Sequence, residues 1–140
     1  MDAHEIVKKL GMERHPEGGW YVETYRAPAE GDARGAVTAI YFLLEKGQRS
    51  HWHAVDAAEI WLWHAGYPLR LRVSQDGRGV EELVLGPALL EGERLQAVVP
   101  VDAWQTAESM GEWTLVSCVV APAFEFRGFR MAEPGWEPGE

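Results

Sequence analysis

The sequence holds a single cysteine, Cys118, in 140 residues, so no internal disulfide can form and nothing points to an oxidising compartment. Basic residues are few: 13 Lys and Arg stand against 22 Asp and Glu, a formal charge of −9. That balance disfavours phosphate backbones and anionic membrane surfaces, so neither nucleic acid nor membrane is an expected partner. Long apolar runs are missing too. The longest, Val37 to Leu44 with Thr38 forgiven, falls far short of a membrane span, and no basic-then-apolar signal opens the chain. A soluble, cytoplasmic protein is expected. The sequence also lacks an internal repeat, a Gly-rich phosphate loop, a Gly-x-Ser-x-Gly elbow and zinc-finger spacing.

What is present is the length of one domain, enough to bury a core without staples. Asp2 followed by Glu5, with Ile6, Val7 and Leu10 at helical spacing before Gly11, predicts one short helix over about 2–10. His15-Pro16-Glu17-Gly18-Gly19 cannot continue it and reads as a tight turn feeding a strand from Trp20 to Tyr25. Segments 37–44, 69–73, 80–85, 95–99 and 113–120 are short, apolar or alternating, and bounded by Gly, Pro or Asp-Gly. A last strand begins around Phe124, and residues 131–140 read as a loose tail. Many short strands and one helix predict an all-β fold, a sandwich or barrel spanning about 18–130. Cys118 lies mid-strand among apolar residues and reads as a small core side chain.

One stretch concentrates the chemistry. It runs from Gly47 through Ser50-His51-Trp52-His53 to Glu59-Ile60-Trp61 and Gly66. In an extended chain His51 and His53 share a face, and a turn at Val55-Asp56-Ala57-Ala58 would return Glu59 beside them. Two imidazoles and a carboxylate suit a divalent metal, and they equally suit proton transfer without one. His64 falls on the face opposite Glu59, while His4 and His15 read as surface residues. Trp61 and Trp63 share the Glu59 face and Trp104 adjoins Gln105. Core packing accounts for most such tryptophans, and an aromatic wall beside polar groups also suits a planar or sugar ligand.

The order Gly47, His-x-His, Glu59, Gly66 resembles the first motif of the cupin superfamily. The segments His15-Pro16-Glu17-Gly18-Gly19-Trp20-Tyr21, Glu23-Thr24-Tyr25-Arg26, Val99-Pro100 with Trp104-Gln105, and Cys118 through Phe124 resemble its cupin-5 group, whose members are largely of unknown function. The resemblance runs from about Leu10 to Arg130. It implies a double-stranded β-helix, or jelly-roll, barrel with a metal or substrate site in its mouth, and a homodimer. It also sharpens two departures. A metal-binding cupin has one fewer residue between the second His and the Glu, and Gln105 stands where a further His ligand is usual. A neutral amide is the weaker ligand.

The expected function is small-molecule binding in the barrel mouth, with His53, Glu59 and Tyr41 as catalytic residues and Glu23, Trp61, Trp63, Trp104 and Gln105 as ligand contacts. In acid/base chemistry on a sugar-like or carbonyl substrate, His53 takes a proton, Glu59 orients the imidazole and Tyr41 returns a proton. One alternative is a cofactor, one divalent Zn, Fe, Mn or Ni held by His51, His53 and Glu59 to polarise a substrate oxygen. The other is a non-catalytic dimeric protein.

Overall fold

A computed structural model describes residues 1–139; Glu140, the end of the expected tail, lies outside the described residues. The chain opens on α1 (Ala3–Leu10), where the Asp2 carboxylate accepts the Glu5 amide at 2.8 Å and Gly11 ends the run in the left-handed region. Ala3, Ile6 and Met12 pack on Leu43 and seat the helix against the outside of a sheet. Among the described residues no helix is long and apolar enough to cross a membrane.

Among the described residues eleven strands follow: β1 (Glu13–Arg14), β2 (Trp20–Arg26), β3 (Thr38–Glu45), β4 (Arg49–Val55), β5 (Ala58–Gly66), β6 (Leu69–Ser74), β7 (Glu81–Leu85), β8 (Gln96–Val99), β9 (Trp104–Ser109), β10 (Trp113–Ala121) and β11 (Phe129–Met131). They form two antiparallel sheets, ordered β1-β2-β3-β10-β5-β8 and β11-β4-β9-β6-β7. This is a jelly-roll barrel with one short helix. Alternation decides which side chains meet inside it. Phe42 on β3, Trp61 on β5, Val116 on β10, Leu69 and Leu71 on β6 and Leu85 on β7 fill one end of the space between the sheets. The largest apolar cluster fills that end, and the other end stays open, with polar groups set beside a smaller apolar cluster of Val55, Ala57 and Val120.

Two local features differ from the sequence reading. The last strand begins later than Phe124, because a bond from the Gly128 amide to the Glu125 carbonyl closes a turn over Phe126–Gly128 before β11. The tail, read as loose, lies along the outside of β4. The Ala132 amide bonds the Trp52 carbonyl, the Trp52 indole donates to Glu137 at 3.0 Å, and the Trp136 ring sits 5.8 Å from Trp52 and 5.0 Å from Trp104. Apolar residues on the outward side of β4 and β9 need cover, and Trp136 supplies it.

Candidate functional site

The open end of the barrel holds a cavity of about 500 Å³. Both sheets contribute to its wall: Thr38 and Ile40 of β3, Glu59 of β5 and Cys118 of β10 face His53 and Val55 of β4. Tyr21 and Glu23 of β2 extend one side, and Phe124 and Phe126 close the rim. His15 and Glu17, from the turn before β2, complete the deep end.

His53 owes its place to a β-bulge. Between Ser50, paired with Ala107, and His53, paired with Gln105, three steps along β4 answer two along β9. The extra residue breaks strict alternation, so His51 and Trp52 both face the tail while Ser50 and His53 are buried inside. The expectation that His51 and His53 share a face is corrected on this point. The His51 Nε2 atom lies 2.9 Å from the Ala132 carbonyl, and His51 does not line the cavity.

His53 is 1% exposed and both its ring nitrogens are engaged. Nδ1 lies 2.6 Å from the His51 carbonyl, which can only accept, so Nδ1 carries the proton. Nε2 then presents a lone pair in the neutral ring, 3.0 Å from Glu17 Oε2. Burial lowers the His53 pKa to about 4, assisted by the neighbouring His15 and His51, although its bond to the backbone opposes the shift. Burial also raises the Glu17 carboxyl well above its ordinary value, and the nearby Glu59 raises it further. Both shifts favour one arrangement: a neutral pair with the proton on Glu17, donated to Nε2.

The turn that delivers Glu17 depends on its glycines. Gly18 and Gly19 adopt φ of 106° and 83°, and a β-carbon on Gly18 would sit 2.6 Å from the Arg49 carbonyl oxygen. That close approach lets the Glu17 carbonyl accept the His51 amide at 2.6 Å, laying the turn directly over β4. His15 is corrected from a surface residue to one whose side chain is largely covered, 7% exposed. Its Nδ1 accepts the Glu17 amide at 3.1 Å, its ring packs edge-on against Tyr21, and burial lowers its pKa to about 4.

Glu59 is reached through a different chain of bonds. The Trp61 indole donates to Gln105 Oε1 at 2.9 Å, which turns the amide nitrogen toward Glu59 Oε1, again at 2.9 Å. The Cys118 thiol donates to the same carboxyl. Burial nevertheless dominates and raises the Glu59 pKa to about 7, against the lowering effect of those two bonds. Gln105 and Trp61 therefore act behind Glu59 and do not line the cavity.

Other expected residues lie elsewhere. Tyr41 sits between Ile40 and Phe42 on β3, so alternation turns it to the outer face, where its ring meets that of His64 at 6.0 Å. The tyrosine on the cavity is Tyr21. Trp63 packs further along β5 and donates to the Tyr67 carbonyl, and Trp104 lies between Trp136 and the Arg130 guanidinium. No tryptophan lines the cavity; Tyr21, Phe124 and Phe126 form its aromatic surface. Glu23 does line it, near the mouth, bonded to Arg26 at 2.8 Å.

The residues present do not fit a divalent metal. Gln105 Oε1 accepts the Trp61 indole outside the cavity, the His51 nitrogen meets a carbonyl, and His53 Nε2 is engaged by Glu17 Oε2 at 3.0 Å. Among the described residues no group of three or more His, Cys, Asp or Glu is placed to hold an ion.

Residues 4–132 match the family model Cupin_5, described as cupin superfamily (DUF985). Two similar solved structures are a hypothetical protein from Leishmania major and a protein from Shewanella oneidensis. The first has 31% identity, a TM-score of 0.88, and coverage of 97% of this chain and 90% of its own. The second has 34% identity, a TM-score of 0.90, and coverage of 95% and 85%. A Bacillus subtilis oxalate decarboxylase, at 13% identity and a TM-score of 0.63 over 84% of this chain and 29% of its own, shares the fold alone. No curated protein matches the sequence.

Proposed function

The chain belongs to the Cupin_5 (DUF985) family of the cupin superfamily, and from that premise we propose that its barrel binds a small molecule and moves a proton on it through Glu17 and His53. The observation that carries this reading is the 3.0 Å contact between Glu17 Oε2 and His53 Nε2 on the wall of the cavity. One proton is shared by two groups that can each hold it. Glu17 as the acid can protonate a ligand oxygen, and the freed His53 lone pair can accept a proton from an adjacent carbon or hydroxyl. The bond from Nδ1 to the His51 carbonyl holds the ring while it changes charge. Glu59, with its pKa at about 7, is a second acid or base poised at neutral pH. A sugar-like or carbonyl compound presents the oxygen and the adjacent proton that this arrangement serves.

The test is incubation of a panel of aldoses, ketoses and hydroxy-ketones in D2O with the protein, read by proton NMR. Deuterium entering a carbon next to a carbonyl is the expected result, with loss of about 100-fold or more in rate for His53→Gln and Glu17→Gln. Circular dichroism must show both variants folded. Exchange that continues unchanged in both removes the pair from the chemistry.

The homodimer expected from the family resemblance is kept as a proposal. Supporting it, β8 is the free edge of the larger sheet and carries Val98 at 59% exposure, next to Ile60 on β5. Sedimentation equilibrium of the wild type against Val98→Glu checks it: a dimer that becomes monomer is expected, and a wild-type monomer refutes it.

A further inference from the structure

We infer that the cavity selects its ligand by charge, favouring small molecules that bear a protonated amine and rejecting carboxylates and phosphates. The inference rests on the site reading above and names the ligand class that the reading leaves open.

The charges around the cavity are unbalanced. Four carboxyl groups reach it: Glu17 and Glu59 at depth, Glu13 and Glu23 toward the mouth. The one guanidinium is that of Arg26, and Glu23 holds it through two bonds, Nε to Oε2 at 3.3 Å and Nη2 to Oε1 at 2.8 Å. His15 and His53, the remaining basic groups, are buried and neutral. Tyr21 directs its hydroxyl to Glu13 and the Cys118 thiol is committed to Glu59. An entering anion meets no uncommitted cation, passes the acidic Glu13 and Glu23, and at depth faces Glu59 in a poorly solvated space.

An ammonium group meets the opposite situation. Burial raises the Glu59 carboxyl toward its neutral form, and a cation beside it supplies the missing counter-charge while Glu17 keeps its proton for His53. The rim offers a second attraction, because Phe124 and Phe126 stand edge to face with centroids 5.0 Å apart, and aromatic faces draw organic cations. Ile40, Val55 and Val120 provide an apolar wall for the body of the ligand.

Titration calorimetry with two triplets matched in shape tests the inference: sorbitol, glucamine and gluconate, then benzyl alcohol, benzylamine and benzoate, at about pH 7.5 where the amines carry charge. Within at least one triplet the amine is expected to bind roughly ten-fold more tightly than the alcohol, with the acid weakest. Glu59→Gln should narrow that spread. Binding in which the amine is the tightest member of neither triplet, and that is lost in His53→Gln, overturns the charge selection while leaving the site standing. No binding by any of the six, or binding that persists in both His53→Gln and Glu17→Gln, overturns the site reading itself.

Discussion

Glu59 illustrates how a single buried carboxyl affects stability. In the unfolded chain it ionises near its ordinary value of 4.5, and in the barrel near 7, so the native state retains a proton that the unfolded state releases. Stability from this group is therefore lost as pH rises through that interval, and Glu17 acts in the same direction. His15 and His53 act oppositely, since their pKa falls from 6.5 to about 4 and the unfolded state takes up protons that the native state refuses. Between 4.5 and 6.5 two groups oppose two, and the net contribution is nearly flat. Above 6.5 the histidines fall silent and the carboxyls alone cost stability. Urea unfolding should show Glu59→Gln equal to or below the wild type at about pH 5 and roughly 2 kcal/mol more stable at about pH 8. A variant weaker than the wild type at both pH values would contradict this balance.

At the scale of elements, the bulge on β4 and the turn at 15–19 make the site, and they explain what the sequence disclosed. Alternation correctly places Glu59 inside, because β5 pairs regularly with β8 from Glu59 to Leu62. It also places His64 outside, although a bulge lies at that point, where Ala65 and Trp63 face the consecutive residues Leu115 and Val116. It misplaces His51, because one extra residue before His53 is invisible until β9 sets the register. Tyr41 was legible in principle, since its parity with Leu43 puts it opposite Ile40, but which face of β3 meets the cavity is decided by distant strands. Glu17 and His15 were missed as site residues because they enter from a turn. Their signals are the paired glycines and the place of His15 and Glu17 in a segment that resembles the family. Gly18→Ala combines a left-handed backbone with a β-carbon 2.6 Å from Arg49 O, so it should cost about 2–4 kcal/mol in urea unfolding and weaken the Glu17–His53 contact. A cost within about 0.5 kcal/mol would show that the turn does not press on β4 as described.

Across the whole molecule, the two ends of the barrel divide the labour. The apolar end supplies the burial that stabilises the fold, which lets the open end carry groups held far from their ordinary ionisation. An all-β sandwich or barrel is readable from strand spacing because each strand announces itself locally, and the jelly-roll form follows from the family resemblance. The order of strands in the sheets was not, since it depends on pairings such as β5 with β10, whose partners lie far apart in the chain. The Pro and Gly content of the tail predicts a loose segment, but Trp136 finds two aromatic partners on the outside of the smaller sheet. Trp136→Ala should lower stability by about 2 kcal/mol in urea unfolding while leaving ligand binding in the cavity intact, because the tail covers the back of β4. Loss of binding with unchanged stability would place the tail in the site.

At the heart of the site Glu17 and His53 form a neutral pair sharing one proton. Long-range nitrogen NMR of the imidazoles, recorded from about pH 5 to pH 8, reads this most directly. The account predicts His53 protonated at Nδ1 alone throughout that range, and a change in its Nε2 signal in Glu17→Gln. An imidazolium carrying protons on both nitrogens at neutral pH would contradict it.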